Sequence, residues 1–300
     1  MKINLEPEAK LLIILAGGMS SRMRKKTDGI SNLDKKLLLE SESKAKCMIS
    51  VGKDGRPFLD YLLFNVFTAG FTHVLMVVNQ KDKSIINHYD LKDGWENLNN
   101  LKIAYTVQTI PDKRTKPMGT ADALLQALDA LSELKGKSFA VCNSDNLYSS
   151  GAFSLILNSN FDNAMLDYDM DKLEFSIERI ASFAITKKDE DGFLNEIVEK
   201  PSSELIEKIR EKDGYVGVSM NIFKFNYDQV LEYLINAPIN VDRDEKELPA
   251  VVQNMINENP KSLFAIPFSE HILDLTGKSD IKIVQKYLNE NFESIDFNQK

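Results

Sequence analysis

KLLIILAGGMSSRM, residues 10–23, passes from an unbroken aliphatic run, Leu11 to Leu15, into a loop of small residues around Ala16, Gly17, Gly18, Ser20 and Ser21, and reaches Arg22. A short apolar run that stops at glycine reads as a strand buried on both faces of a sheet. Glycines let the backbone pass close to a ligand without Cβ interference, so successive N–H groups can point at phosphate oxygens. An arginine just beyond supplies a planar, permanently charged fork for the same oxygens. Lys46 then precedes a second apolar segment in KCMISVGKDGRPFLDY, residues 46–61, with a turn at Gly52-Lys53-Asp54-Gly55 before a helix-like run. Strand, glycine loop and cations in this order suit the triphosphate of a nucleotide.

Working outward, apolar strand patterns fall at 11–16, 73–79, 101–108 and 138–143, with helical patterns between them at 58–69, 83–89 and 119–131. Strands that alternate with helices imply a sheet covered on both faces, with ligands bound beyond the carboxyl ends of the strands. The Gly17 loop, Gln108 and Asp145 each follow a strand and would converge on one edge. The second half suggests strands at 180–186 and 193–199 around the turn Asp189-Glu190-Asp191-Gly192, further strands at 215–225 and 262–268, and helices at 227–236, 245–257 and 279–291. No linker composition, repeat or short-period β-helix pattern is visible, so a single domain over 1–300 is expected. Residues 24–45 are polar apart from Leu37, Leu38 and Leu39, and have two readings: a solvated surface excursion or a mobile lid over the nucleotide.

The formal net charge of −8 argues against broad nucleic-acid binding, which wants a basic surface. An acidic protein that handles anions must concentrate cations locally or recruit a metal ion. No apolar run reaches the length of a membrane span, and the charged start MKINLEPEAK lacks the core of a secretory signal, so a cytoplasmic protein is expected. Cys47 and Cys142 sit among apolar neighbours and are expected to be reduced and buried.

LAGGMSSRM, followed by a lysine before a short strand and GRPFLDYLL, resembles the sugar-phosphate nucleotidyltransferase family. The likeness continues in the family's order through PMGTADAL (117–124), NSDN (143–146), EKP (199–201), GVSMNIFKF (217–225) and DLTGKSD (274–280), and covers most of the chain. Three departures stand out: Ser20 where glycine is common, Ala45 in place of the proline before the lysine, and the long 24–45 excursion. The resemblance implies an α/β three-layer sandwich around a mixed, mostly parallel sheet. It implies transfer of a nucleoside monophosphate from a nucleoside triphosphate to a sugar 1-phosphate, with pyrophosphate released. The nucleotide would bind in roughly the first 150 residues and the sugar phosphate in the rest.

By the same resemblance Arg22 would neutralise the departing pyrophosphate and Lys46 would hold the α-phosphate, with Lys44 and Lys35 as competing lysines. Ala16, Gly17, Gly18, Gln108 and Gly119 would form the nucleotide site. Glu199, Lys200 and Asn221 would form the sugar-phosphate site, with Ser219 beside them. Asp145 and Asp274 would share one Mg²⁺, whose preference for hard oxygen ligands matches paired carboxylates. Such a transfer joins two anions, so it asks for cations and alignment more than for covalent chemistry. The base, the sugar and the oligomeric state stay open, as do two rivals: a cytidylyltransferase acting on phosphocholine or another alcohol phosphate, and a non-catalytic nucleotide-sugar-binding protein. His73, His88 and His271 are too scattered for zinc, Ser20 and Ser21 have no histidine nearby in sequence, and Gly17-Gly18 lacks the spacing of a dinucleotide fingerprint.

Overall fold

The computed structural model describes residues 3–18, 23, 34–90, 101–131, 134–293, 295 and 297. In chain order its elements begin with β1 (Leu11–Ala16), α1 (Lys35–Ser43), α2 (Phe58–Thr68), β2 (His73–Asn79), α3 (Ser84–Asp90), β3 (Lys102–Gln108), α4 (Thr120–Ala130) and β4 (Ser138–Asn143). The two-residue strand β5 (Asn146–Leu147) leads to α5 (Ser150–Leu157), β6 (Ala164–Asp169), α6 (Ile177–Ile180), β7 (Ile185–Lys188), β8 (Leu194–Val198), α7 (Ser203–Asp213) and β9 (Gly217–Asn226). The remainder is α8 (Tyr227–Ile235), the ribbon strands β10 (Ile239–Asn240) and β11 (Glu245–Lys246), α9 (Leu248–Glu258), β12 (Phe264–Phe268), β13 (Leu273–Asp274) and α10 (Asp280–Phe292).

Nine of these strands form one sheet in the order β12-β6-β9-β4-β1-β2-β3, with β7 pairing β9 and β8 pairing β7. All but β8 and β9 point the same way, because β9 runs antiparallel to β4, β6 and β7, and β8 antiparallel to β7. The sheet is therefore mixed and mostly parallel, and it draws strands from both halves of the sequence. β1 is buried along its whole length between β2 and β4, which is why its sequence is uniformly aliphatic instead of alternating. Leu12, Ile14 and Ala16 face a core shared with α2, α5 and α10, while Leu11, Ile13 and Leu15 face a second core shared with α4, α8 and α9. Helices thus cover both faces, which makes the three-layer sandwich.

The second half departs from the sequence pattern in several places. The expected strand at 180–186 is wrong over most of its length: α6 ends at Ile180, a turn follows, and only Ile185 onward is extended. The expected helix at 245–257 begins at Leu248, since Glu245 and Lys246 pair with β10. α5, β6 and α7 had no counterpart in the sequence pattern, nor did α1 in the first half. β6 reads AMLDYD, and Asp167 in its middle looks like a surface residue. In the fold Asp167 is fully buried and paired with Lys188 Nζ at 2.6 Å, with Tyr215 Oη at 2.7 Å and with Thr186 Oγ1 at 2.5 Å. A buried carboxylate is tolerated only with such partners. Gly217 is required beside it, because a Cβ there would lie 1.9 Å from Asp167 Oδ1.

Candidate active site

The carboxyl ends of β1, β3 and β4 open onto a cleft of about 390 Å³. Gly17 and Gly18 floor it directly after β1, and Gln108 and Gly119 stand on the opposite wall. A Cβ on Gly17 would lie 2.7 Å from Gln108 Oε1, so the glycine is there for a close approach between two walls of the cleft. Gln108 is nearly inaccessible, and its amide donates to Gly119 O at 3.0 Å and Asp122 Oδ2 at 2.9 Å. Its side chain therefore fixes the Gly119 turn, and the carbonyl oxygen is the part turned toward Gly17. Gly119 has φ +105°, and a Cβ there would collide with Lys246 O at 2.4 Å. Both its conformation and its neighbour exclude a side chain.

At the end of β4 this cleft meets a second, of about 530 Å³, and Asp145, Asn143 and Thr120 line both. Asp145 forms an ion pair with Lys46. Of the three competing lysines, Lys46 lines the first cleft, whereas Lys44 is engaged by Glu40 at 2.9 Å. Lys35 lines neither cleft. Asp274 reaches the same seam by a different route. β13 pairs antiparallel with β5, placing Asp274 opposite Asn146, and Leu275 N donates to Asp145 O at 2.8 Å. Two acids far apart in sequence are thus neighbours across a two-rung ribbon. Burial, then the charge of Asp145, pushes the Asp274 carboxyl above its ordinary pKa, against the pull of Thr276 and Arg179. Arg179 Nη2 lies 2.7 Å from Asp274 Oδ2, and its Nη1 lies 2.7 Å from Asp280 Oδ1. Cys47 is close by but buried, and its thiol is pushed up to about 12 by that burial, so it is no nucleophile at neutral pH.

Glu199, Lys200, Ser219 and Asn221 line the second cleft. Lys200 (φ 49°) and Asn221 (φ 56°) both hold the left-handed conformation that non-glycine residues avoid, and such strain gathers where a site dictates side-chain direction. Ser219 Oγ is buried without a hydrogen-bond partner. The cleft also contains Arg243 and Glu247, which the sequence reading missed. Arg243 bonds Glu247 Oε1 at 2.5 Å and Glu199 Oε2 at 3.2 Å, so a guanidinium lines the same cleft as Lys200. The ribbon that carries Arg243 is tied to the first cleft by Arg114 to Asp244 Oδ1 (2.9 Å), Lys116 to Glu245 Oε1 (3.3 Å), Lys246 N to Met118 O (2.5 Å) and Leu248 N to Thr120 Oγ1 (2.9 Å).

Lys46, Asp145, Asp274, Ala16, Gly17, Gly18, Gln108, Gly119, Glu199, Lys200 and Asn221 accordingly line one continuous pair of clefts. Arg22, with Ser20 and Ser21, lies outside the described residues, as do residues 24–33 of the excursion. Arg179 and Arg243 gave no sequence signal, because an arginine among acids in SIERIAS or NVDRDEKE reads as a solvated ion pair until the fold shows where it points.

The family model for nucleotidyl transferases matches residues 11–267. The chain is 25% identical over 229 residues to a glucose-1-phosphate adenylyltransferase of Nitrosospira multiformis, covering 75% of this chain and 49% of that protein. It is 25% identical over 289 residues to the enzyme of the same name from Saccharophagus degradans, covering 94% and 62%. The chain thus spans about half to three-fifths of the length of these relatives. Among solved structures, a UDP-glucose pyrophosphorylase complexed with UDP-glucose superposes with a TM-score of 0.66 at 15% identity, over 94% of this chain and 99% of that one.

Proposed function

Because this chain belongs to the nucleotidyl transferase family, we propose that it transfers a nucleoside monophosphate from a nucleoside triphosphate to a sugar 1-phosphate and releases pyrophosphate. One observation carries the reading: Asp145 and Asp274 meet beside Lys46 at the seam of two clefts. A seam of that kind is where an α-phosphate in the first cleft and an attacking phosphate in the second would face each other.

The bond to be made joins a sugar-phosphate oxygen to the α-phosphorus, and the bond to be broken runs from that phosphorus to the pyrophosphate oxygen. Both reactants are anions, so repulsion and alignment make up much of the barrier. Lys46 would exchange its bond to Asp145 for one to the α-phosphate as the triphosphate enters. Arg243 and Lys200 would hold the acceptor phosphate, and Glu199 and Glu247 would accept from sugar hydroxyls. The backbone at Gly17, Gly18 and Gly119 would admit the nucleotide at van der Waals distance. Arg22 would meet the leaving pyrophosphate.

Mg²⁺ fits the donors present. Asp145 and Asp274 offer hard oxygen atoms, and the charge of one is felt by the other. Two carboxylates would leave the remaining positions of the ion to phosphate oxygens and water, as Mg²⁺ prefers. Bound by this pair, the ion would draw negative charge from both the α-phosphate and the attacking oxygen. A cytoplasmic setting suits the two buried free thiols, and among the described residues no helix is long and apolar enough to cross a membrane. The sheet shared by both halves supports reading the chain as one domain.

The test is pyrophosphate release across four nucleoside triphosphates and a panel of sugar 1-phosphates, with Mg²⁺. The relatives' names put ATP with glucose 1-phosphate first, and the likeness to a UDP-glucose pyrophosphorylase puts UTP second. A productive pair supports the proposal and identifies base and sugar together. Turnover with phosphocholine or another alcohol phosphate alone would move the acceptor class. Tight binding of a nucleotide-sugar with no turnover by any pair would overturn the enzyme reading.

A further inference from the structure

We infer that helix α1, inside the long polar excursion before Lys46, is a fixed brace that aims the Lys46 ammonium at the seam, with Glu40 as its positioning residue. The helix faces inward through Leu37, Glu40 and Ser41, all buried. A carboxylate at such a position is costly without donors, and Glu40 has three. Its Oε2 accepts from Ser50 N at 2.8 Å, and its Oε1 accepts from Ser50 Oγ at 3.0 Å and Lys44 Nζ at 2.9 Å. Both ends of the Lys46 segment are thereby tied to one side chain, through Lys44 before it and Ser50 after it.

Between those ties the chain has little freedom. Residues 46–48 form a short 3₁₀ turn whose ends are closed by Met48 N to Ala45 O (2.9 Å) and Ile49 N to Lys46 O (3.2 Å). Cys47, Met48 and Ile49 are buried, while Phe58 N bonds Ile49 O at 3.2 Å and so fastens the segment to α2. Lys46 is left to reach out of this anchored run to Asp145. On its other side α1 contacts the loop that follows Asp274, where the nearly inaccessible Lys278 donates to Glu42 Oε1 at 3.2 Å. One helix therefore touches the segment carrying the cation and the loop beyond the second acid. It sets the separation of the two, and the described half of the excursion is docked in place by Glu40, Glu42 and Leu37.

The role assigned to Lys46 rests on the proposed transfer, but the placement of its ammonium does not. The experiment compares wild type with Glu40→Ala, Glu40→Gln and Ser50→Ala. It follows the rate of amine acylation at Lys46 by peptide mass spectrometry, together with steady-state pyrophosphate release and melting temperature. Wild-type Lys46 is expected to react slowly, being held by Asp145, and Glu40→Ala should speed its labelling several-fold while other lysines keep their rates. Misplacing a group at the reaction centre by about 1 Å costs on the order of a hundredfold in rate, so kcat should fall by up to about that much with the KM for the sugar phosphate within twofold. Glu40→Gln keeps an acceptor for Ser50 and should restore most of both readouts. Should Glu40→Ala not fold, Ser50→Ala and Glu40→Gln carry the same comparison, with Ser50→Ala expected to show smaller changes of the same sign. Unchanged Lys46 labelling in a folded Glu40→Ala or Ser50→Ala protein would overturn the brace. So would equal losses in kcat and sugar-phosphate affinity without rescue by glutamine. If wild type turns over no substrate pair, the transferase reading fails, and the labelling data still decide whether α1 positions Lys46.

Discussion

The two clefts are built from different materials. The first is walled mainly by backbone and small side chains at the ends of parallel strands, with Gly17 packed on Gln108 and Gly119 packed on Lys246, and its charges pair as Lys46 with Asp145 and Lys116 with Glu245. The second is walled by charges: Glu199, Lys200, Arg243, Glu247 and Asp274, several already paired with each other. A wall of close-packed backbone discriminates by shape and cannot absorb an added methyl group. A wall of ion pairs discriminates by charge and must trade internal partners for substrate. Under the proposed transfer, the difference would suit a flat base with its ribose on one side and a hydroxylated sugar phosphate on the other.

Substitutions can break this contrast, and the largest effect is expected where the clefts meet. Asp145→Asn removes half of the carboxylate pair and the partner of Lys46. It should lower kcat by on the order of 10²–10³-fold or more while the melting temperature and the binding of each substrate measured alone change little. Substantial pyrophosphate release by this variant would remove the seam from the mechanism. Next comes the frame beneath the charged cleft. Asp167→Ala strands Lys188 inside the sheet, and removing one partner of a buried pair costs about 3–5 kcal/mol, read as a lowered urea midpoint. Gly119→Ala attacks the backbone-walled cleft. A residue forced to φ +105° against a carbonyl 2.4 Å from its Cβ should lose about 1–3 kcal/mol of stability and raise the nucleotide KM. Arg243→Gln attacks the charged cleft and should leave stability nearly untouched, because that side chain is half exposed. Losing one charge-assisted bond to phosphate should raise the sugar-phosphate KM about tenfold and leave the nucleotide KM alone. If Gly119→Ala and Arg243→Gln instead shift both KM values together, the clefts are not separable and the ribbon joining them sets both.

The first half was legible because its physics is local. Leu11 to Leu15 and His73 to Asn79 are strands buried between parallel neighbours, Ser138 to Asn143 is buried between a parallel and an antiparallel one, and strands covered on both faces need largely apolar sequence. The second half was less so because its strands carry charges whose partners are remote. Asp167 disguises β6 until Lys188 and Tyr215 arrive from other strands. Ile180 to Ala184 looked extended on apolar content alone, yet α6 takes its first residue and a turn follows. The glycine-walled cleft could be read from Gly17 and Gly119, whereas Arg179, Arg243 and the brace through Glu40 had no one-dimensional signature.

The amino-acid order alone determined a mostly parallel, doubly covered sheet with a glycine loop after its first strand, because burial on both faces and freedom from Cβ are written residue by residue. Only the tertiary structure decided that Asp274 lies opposite Asn146 beside Asp145, that Lys46 and not Lys44 enters the cleft, and that Arg243 shares the second cleft with Lys200. Charge–charge interactions fall off with distance in space, and separation along the chain says nothing of that distance until the sheet has closed.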